Sequence, residues 1–514
     1  MACRLTTRSK SGHARKRQHW TFLAVCVPLA TSLVGVALSE TSARWWAPGA
    51  DQILPGSLSY ADETGVITIL NLGAPTSTRG HPFFTPLGPN GRACVTCHQP
   101  SDGMSLSAAT AQARWQATEG KDPLFAAIDG SNCPSLPQSD KNSHSLLLQH
   151  GLFRIARPWP PLEIDGKPVV AQFSIEVIRD PTGCNSDKVY GLPSPHPMIS
   201  VFRRPRPVAN LKYVTAVGYD FEPKNGLPLP IDAKTGRRMS GNILSDSRAG
   251  TLEGQASDAI SSHLDVHGNS SAAEIKTILE FETQIFAAQS ADFVGGLLNE
   301  GGALGGPVTL AAAKPGVLKS SQHPQWEEFD GWSKPGAANE STSLQQRTFR
   351  ESVARGAALF RDRTFLVSDT AGINSMNFGN PTRDGCNFCH NMTRIGMDLA
   401  PGQVDLGTTN EPHADPQPDL PLFKLTCDPK YPPHPFLGPV VYTHDPGFAL
   451  TTGKCADIGK ITIQSMRGLA ARPPYFSNGS ARSLRDVIEY YNRRYQIGYT
   501  EQEMQDLTNL MSVL

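Results

Sequence analysis

Two short stretches decide how the rest of the chain is read: Arg92–Pro100, "RACVTCHQP", and Asp384–Met392, "DGCNFCHNM". Each carries Cys-x-x-Cys-His. Cys-x-x-Cys alone suits a redox dithiol or half of a zinc site. A His directly after the second Cys changes the reading, because two thiols can form thioethers with the vinyl groups of a c-type haem while the adjacent imidazole takes the iron. On that chemistry Cys94, Cys97, Cys386 and Cys389 attach two haems covalently. His98 and His390 are then the proximal iron ligands.

The compartment suits that chemistry. Arg4, Arg8, Lys10, Arg15, Lys16 and Arg17 precede the apolar run "TFLAVCVPLATSLVGVAL", and Ala37-Leu38-Ser39 ends it with small residues. Residues 1–39 are therefore read as a cleaved export signal to the periplasm, with an uncleaved membrane anchor as the alternative. Loss of this leader leaves 41 Lys and Arg against 47 Asp and Glu, an acidic balance that argues against a nucleic-acid partner. Cys3 and Cys26 leave with it. Outside the repeated motif remain Cys133, Cys184, Cys427 and Cys455, each pair confined to one region of an exported chain, so Cys133–Cys184 and Cys427–Cys455 disulfides are expected.

With 514 residues, 46 Gly and 42 Pro, the chain is long enough for several domains and rich in loops. The polar segment Lys314–Leu344 separates the two motifs. Ser271-x-x-Glu274 predicts a capped helix bearing Ile275, Ile278, Leu279, Ile285 and Phe286 on one side. "RTFRESVARGAALFRD" places Phe349, Val353 and Phe360 at helical spacing. Ser483-x-x-Asp486 and Thr500-x-x-Glu503 predict two more helices, the first burying Leu484, Val487, Ile488 and Tyr491, the second Met504, Leu507, Leu510, Met511 and Leu514. "FSIEVIRD" reads as a strand, "SHSLLLQHGLF" as a short buried helix, and "GGLLNEGGALGGP" as a loop, because no Lys-Ser or Lys-Thr follows it.

The run "MRGLAARPPYFSNGSARSLRDVIEYYNRR", with "FRESVARGAALF" upstream, resembles bacterial di-haem cytochrome c peroxidases and the related MauG-type enzymes over about residues 345–514. "GRACVTCHQPSDG", "DPLFAAIDGSN" and "FRRPRPVANLKYVTAVGYDFE" resemble longer members of that superfamily less closely, and roughly Met104–Pro195 exceeds what short peroxidases carry. The resemblance implies a mostly α fold, two cytochrome c-like haem domains with long loops and a few short strands. The N-terminal haem domain would span 40–320 with an inserted loop-rich segment, and a linker 321–344 would lead to a C-terminal haem domain at 345–514.

The same resemblance implies a division of labour, in which the N-terminal haem meets peroxide and the C-terminal haem stores or relays an electron. Counting seventeen residues from Pro474 reaches Tyr491 as sixth ligand of the second haem, where peroxidases carry Met and MauG carries Tyr. Met466 and Met392 are the alternatives. Around the first haem the motif match gives Tyr219 with Asp220 between the haems, Gln255 in the pocket, His263 or Asp265 as pocket acid or base, and His196 as a displaceable ligand. Ser477 stands where relatives often carry His, and Arg204 stands near the Asn expected to bind an inter-domain calcium, so calcium has no clear ligand.

Three functions follow as expectations. The first is a peroxidase-like oxidoreductase reducing hydrogen peroxide, or another small oxidant, with electrons from a small cytochrome c or cupredoxin. The second is a MauG-like or oxygenase-like enzyme oxidising a protein or organic substrate. The third is an electron carrier without catalysis, which would need a permanent sixth ligand such as His196 on the first haem.

Overall fold

Alternating β-branched residues in Gly65–Asn71, GVITILN, form an inner strand of a four-stranded antiparallel sheet. Its order is Gly296–Leu297, Ile285–Asp292, Gly65–Asn71, Ser57–Ala61. This computed structural model describes residues 45–161, 163–164, 167–216, 239–268, 270–315, 326–334, 342–376, 378–397 and 402–514. The leader 1–39 and Tyr219 lie outside the described residues.

The mostly α expectation is corrected: the structure is 30 % helical and 18 % strand, and its strands form small, separate sheets. One error is local. The helix capped by Ser271 and Glu274 runs Ala272–Glu282 and stops at Thr283, so Ile285 and Phe286 belong to the strand Ile285–Asp292. There they pair with Asn71 and Leu70. A larger omission is a β-rich module drawn from both halves of the chain. Phe173–Arg179 lies antiparallel to Leu422–Cys427, which also pairs with Val440–Thr443. The core beneath contains Ile199, Val201, Phe423, Leu425 and Leu450.

The remaining capped helices form where the sequence places them. Leu484–Arg494 and Glu501–Ser512 each begin with a capping box, from Ser483 with Asp486 and from Thr500 with Glu503. Leu344–Asp362 packs on Glu501–Ser512 through Val353 and Ala357 on one side and Leu507 and Leu510 on the other. At the crossing a Cβ on Gly356 would fall 2.2 Å from the Asp506 carbonyl oxygen, so only glycine permits this approach. Within the polar segment between the motifs, Trp326, Phe329 and Trp332 are buried in the same core.

Cys133 pairs with Cys184 and Cys427 with Cys455, with Cα–Cα distances of 5.1 and 6.0 Å. Residues Ser42–Leu514 form one compact unit. Among the described residues, no helix is long and apolar enough to cross a membrane.

Candidate functional site

Each Cys-x-x-Cys-His sits on a tight helical turn, Cys94–Thr96 or Cys386–Cys389, and the chain after it folds back in the same way. Antiparallel bridges join Gln99 to Ser105 and Asn391 to Met397. Two successive residues adopt positive φ in each loop: Gly103 and Met104 (63° and 63°), Ile395 and Gly396 (57° and 82°). Met104 and Ile395 hold this left-handed backbone despite carrying side chains, and both are buried. The loop turns a carbonyl back onto the imidazole six residues earlier. His98 Nδ1 lies 3.1 Å from the Met104 carbonyl oxygen, and His390 Nδ1 lies 3.0 Å from that of Gly396.

A carbonyl only accepts, so Nδ1 carries the hydrogen in both rings and Nε2 keeps its lone pair. Burial lowers the His98 pKa to about 4 and lowers that of His390, so both imidazoles are neutral at neutral pH. Burial pushes the Cys94 thiol up, and the Cys97 and Cys386 thiols up to about 11. Surroundings that resist thiolate suit uncharged thioethers better than the thiolates a zinc site requires. The four motif cysteines stay outside both disulfides.

Each motif opens onto its own cavity. The first is lined by Cys94, Cys97 and His98 with Gln255, His263 and Glu282. Gln255 and His263 come from the helix Leu252–His263, capped by Thr251, and Glu282 ends the helix Ala272–Glu282. His263 Nδ1 meets Asp129 Oδ2 at 2.5 Å, and the other Asp129 oxygen accepts from Arg92 Nη1. Arg92 is anchored further on the carbonyls of Pro123 and Leu124, 2.7 Å from each. Burial alone would raise the Asp129 pKa, but Arg92 and His263 hold its carboxyl below the usual range. The carboxylate orients the imidazole with its Nδ1–H toward Asp129.

The second cavity is lined by Cys386, Cys389, His390, Met466, Ser477 and Tyr491 among others. Tyr491 Oη lies 3.4 Å from His390 Nε2. Burial raises the Tyr491 pKa well above that of an ordinary phenol, and its hydroxyl faces the His390 Nε2 lone pair. Of the alternative ligands, Met466 lines this cavity with its sulfur turned toward Gly396, and Met392 is packed into the surrounding core.

His196 and Asp265 are not gathered at either cavity. His196 is exposed in the loop ahead of the strand Met198–Arg203, away from the first cavity. Asp265, at positive φ, faces His267 at 3.5 Å. Ser477 contributes its carbonyl, which accepts from the Arg204 amide at 2.8 Å. Glu282 was missed. It is 4 % exposed, its Oε2 has no hydrogen-bond partner, and burial raises its pKa to about 8. The helical pattern around it marks only the apolar neighbours, so nothing in the sequence signals a buried acid.

Two imidazoles with Nδ1 fixed on a carbonyl, two pairs of half-buried thiols and a cavity beside each motif fit two covalently attached haems. Among the described residues no group of three or more His, Cys, Asp or Glu side chains is placed to hold a bare metal ion. No family model matches the chain, and no curated protein matches it.

Proposed function

We propose that the chain is an exported di-haem c-type oxidoreductase. Its proposed reaction is reduction of hydrogen peroxide at the first cavity with electrons relayed through the second from a small cytochrome c or cupredoxin in the periplasm. The observation that supports this most directly is the pairing of each Cys-x-x-Cys-His with its own cavity through a loop that fixes the imidazole tautomer. When bound, the two haems would supply two redox-active irons, matching the two electrons that peroxide reduction requires.

The chain's own residues divide the remaining work. Cys94 and Cys97, and Cys386 and Cys389, tether the groups, and His98 and His390 hold the irons. In the first cavity His263, oriented by Asp129, accepts a proton from peroxide at Nε2 and returns it to the departing oxygen. Gln255 offers an amide at the same wall to orient the substrate. In the second cavity Tyr491 faces His390 and closes that position to small molecules.

Tyr491 also supports a second reading, oxidation of a protein side chain or organic molecule, because a tyrosine oxygen near the second iron would favour its oxidised state more than a thioether would. Both are tested by first counting haems with the pyridine haemochrome assay, then mixing fully reduced holoprotein with one equivalent of hydrogen peroxide in a stopped-flow spectrometer. Rapid loss of both ferrous α bands supports the peroxidase. A long-lived oxidised spectrum discharged by an organic donor supports the second reading. No reaction within minutes rejects both.

A further inference from the structure

Three arginines stand together between the two cavities. Arg204 lines both, Arg206 lines the first and Arg472 the second. All three are nearly inaccessible or half-covered by the wall they form, and their donors meet only neutral oxygens among the described residues. Arg204 Nη2 donates to the carbonyls of Leu106 and Arg472 at 2.7 and 2.9 Å. Arg206 reaches the carbonyls of Leu244 and Ile463 at 2.8 and 3.0 Å and the Thr462 hydroxyl. Arg472 Nη2 donates to the Ser465 carbonyl at 2.6 Å.

Their neighbour supplies the contrast. Arg203 is salt-bridged to both Asp246 and Asp445, 2.6 Å from each. Burial, with repulsion from Arg472, lowers Arg204 to about 9 and Arg206 to about 10, and burial lowers Arg472 to about 10. Asp102 acts on Arg204 and Asp246 on Arg206, yet Asp102 is engaged by the Ser107 amide at 2.7 Å and the Thr110 hydroxyl at 2.9 Å, and Asp246 is paired with Arg203 and Arg248. The fold nonetheless makes room for the charge: a Cβ on Gly151, at φ +60°, would fall 1.8 Å from Arg204 Nη1. Three like charges in a dry wall, without carboxylates of their own, are unfavourable unless an anion completes them.

We propose that Arg204, Arg206 and Arg472 form a cationic seam that receives the propionate carboxylates of the two haems, Arg206 serving the first, Arg472 the second and Arg204 both. This rests on the di-haem reading above. The seam ties the two groups to one set of charges and raises both reduction potentials, because a fixed positive charge favours the reduced, less positive iron.

The test is spectroelectrochemical titration of holoprotein carrying Arg204→Gln, Arg206→Gln or Arg472→Gln, each first shown to hold two haems. Arg206→Gln lowers the first midpoint and Arg472→Gln the second by about tenfold in the reduced-to-oxidised ratio, or ~59 mV for a one-electron couple. Arg204→Gln lowers both, and Arg204→Lys restores most of the loss. Unchanged midpoints in all three Gln variants would overturn the proposal. So would a wild-type midpoint that moves with added acetate, which would place the anion in solution and not on the haem. Should the Gln variants not fold, wild-type redox-difference infrared spectra with haem carboxyls labelled by carbon-13 give the answer. Ionised carboxylate bands that shift with the label support the seam, and protonated carboxyl bands reject it. A wild-type chain that acquires no haem rejects the underlying function instead.

Discussion

Tyr491 presents its hydroxyl to His390 Nε2 across 3.4 Å, joining the helix Leu484–Arg494 to the loop that follows the second Cys-x-x-Cys. A hydroxyl and an imidazole nitrogen from separate elements thus face each other in the second cavity. Tyr491→Phe removes the oxygen and keeps the ring. The ferric spectrum of the second haem then changes, and its reduction potential rises by on the order of tenfold in the reduced-to-oxidised ratio. An unaltered spectrum and potential would assign the position to another group, with Met466 the nearest candidate in the cavity.

Asp129 sets the orientation of His263 in the first cavity. Asp129→Asn keeps the shape but removes the charge that fixes Nδ1–H, and peroxide consumption falls by about 10²-fold or more. The absorption of the first haem stays near wild type because His98 is held independently by Met104. A wild-type rate in this variant would exclude His263 as the proton carrier.

Gly356 permits the helices Leu344–Asp362 and Glu501–Ser512 to touch backbone to backbone. Gly356→Ala forces them apart or bends one of them, lowering stability by about 1–3 kcal/mol in urea unfolding. A midpoint equal to that of wild type would mean that the crossing relaxes without loss.

Glu282 gives stability a pH dependence of defined sign. Burial raises its folded-state pKa from 4.5 to about 8. Between those values the folded chain keeps a proton that the unfolded chain has lost, so this contribution to stability declines as pH rises through that window. Glu282→Gln cannot ionise and abolishes the decline. Stability of the variant relative to wild type therefore increases from pH 5 to pH 8, by a few kcal/mol at most, at ~1.4 kcal/mol for each pH unit crossed. Parallel stability curves for the two proteins would show that Glu282 finds a partner or water in solution.

What the sequence disclosed was what local chemistry determines. The capping boxes at Ser271, Ser483 and Thr500 fix helix starts within four residues, and each Cys-x-x-Cys-His marks a tight helical turn within five. Strand pairing has no such local mark. Phe173–Arg179 reads as a strand by alternation, but its partner Leu422–Cys427 lies in the other half of the chain, and nothing in either segment names the other. Ile285 and Phe286 continue an apolar helical spacing past Glu282, and only the waiting edge of Gly65–Asn71 turns them into a strand. The site divides the same way. His263 and Gln255 fall into the first cavity as the motif match implies, whereas Asp129 and Glu282 become site residues through contacts that no spacing records.

The sheet shared by the two halves also sets an order of events. Glu176 and Lys424 are pairing neighbours, yet 248 positions separate them, so the strand made early must wait for one made late. A chain crossing a membrane from its N-terminus would deliver Cys94 and Cys97 long before that sheet can close. On the exported di-haem reading, the first attachment motif would then be open to haem ligation before that sheet can form, and the second would emerge only shortly ahead of Leu422–Cys427.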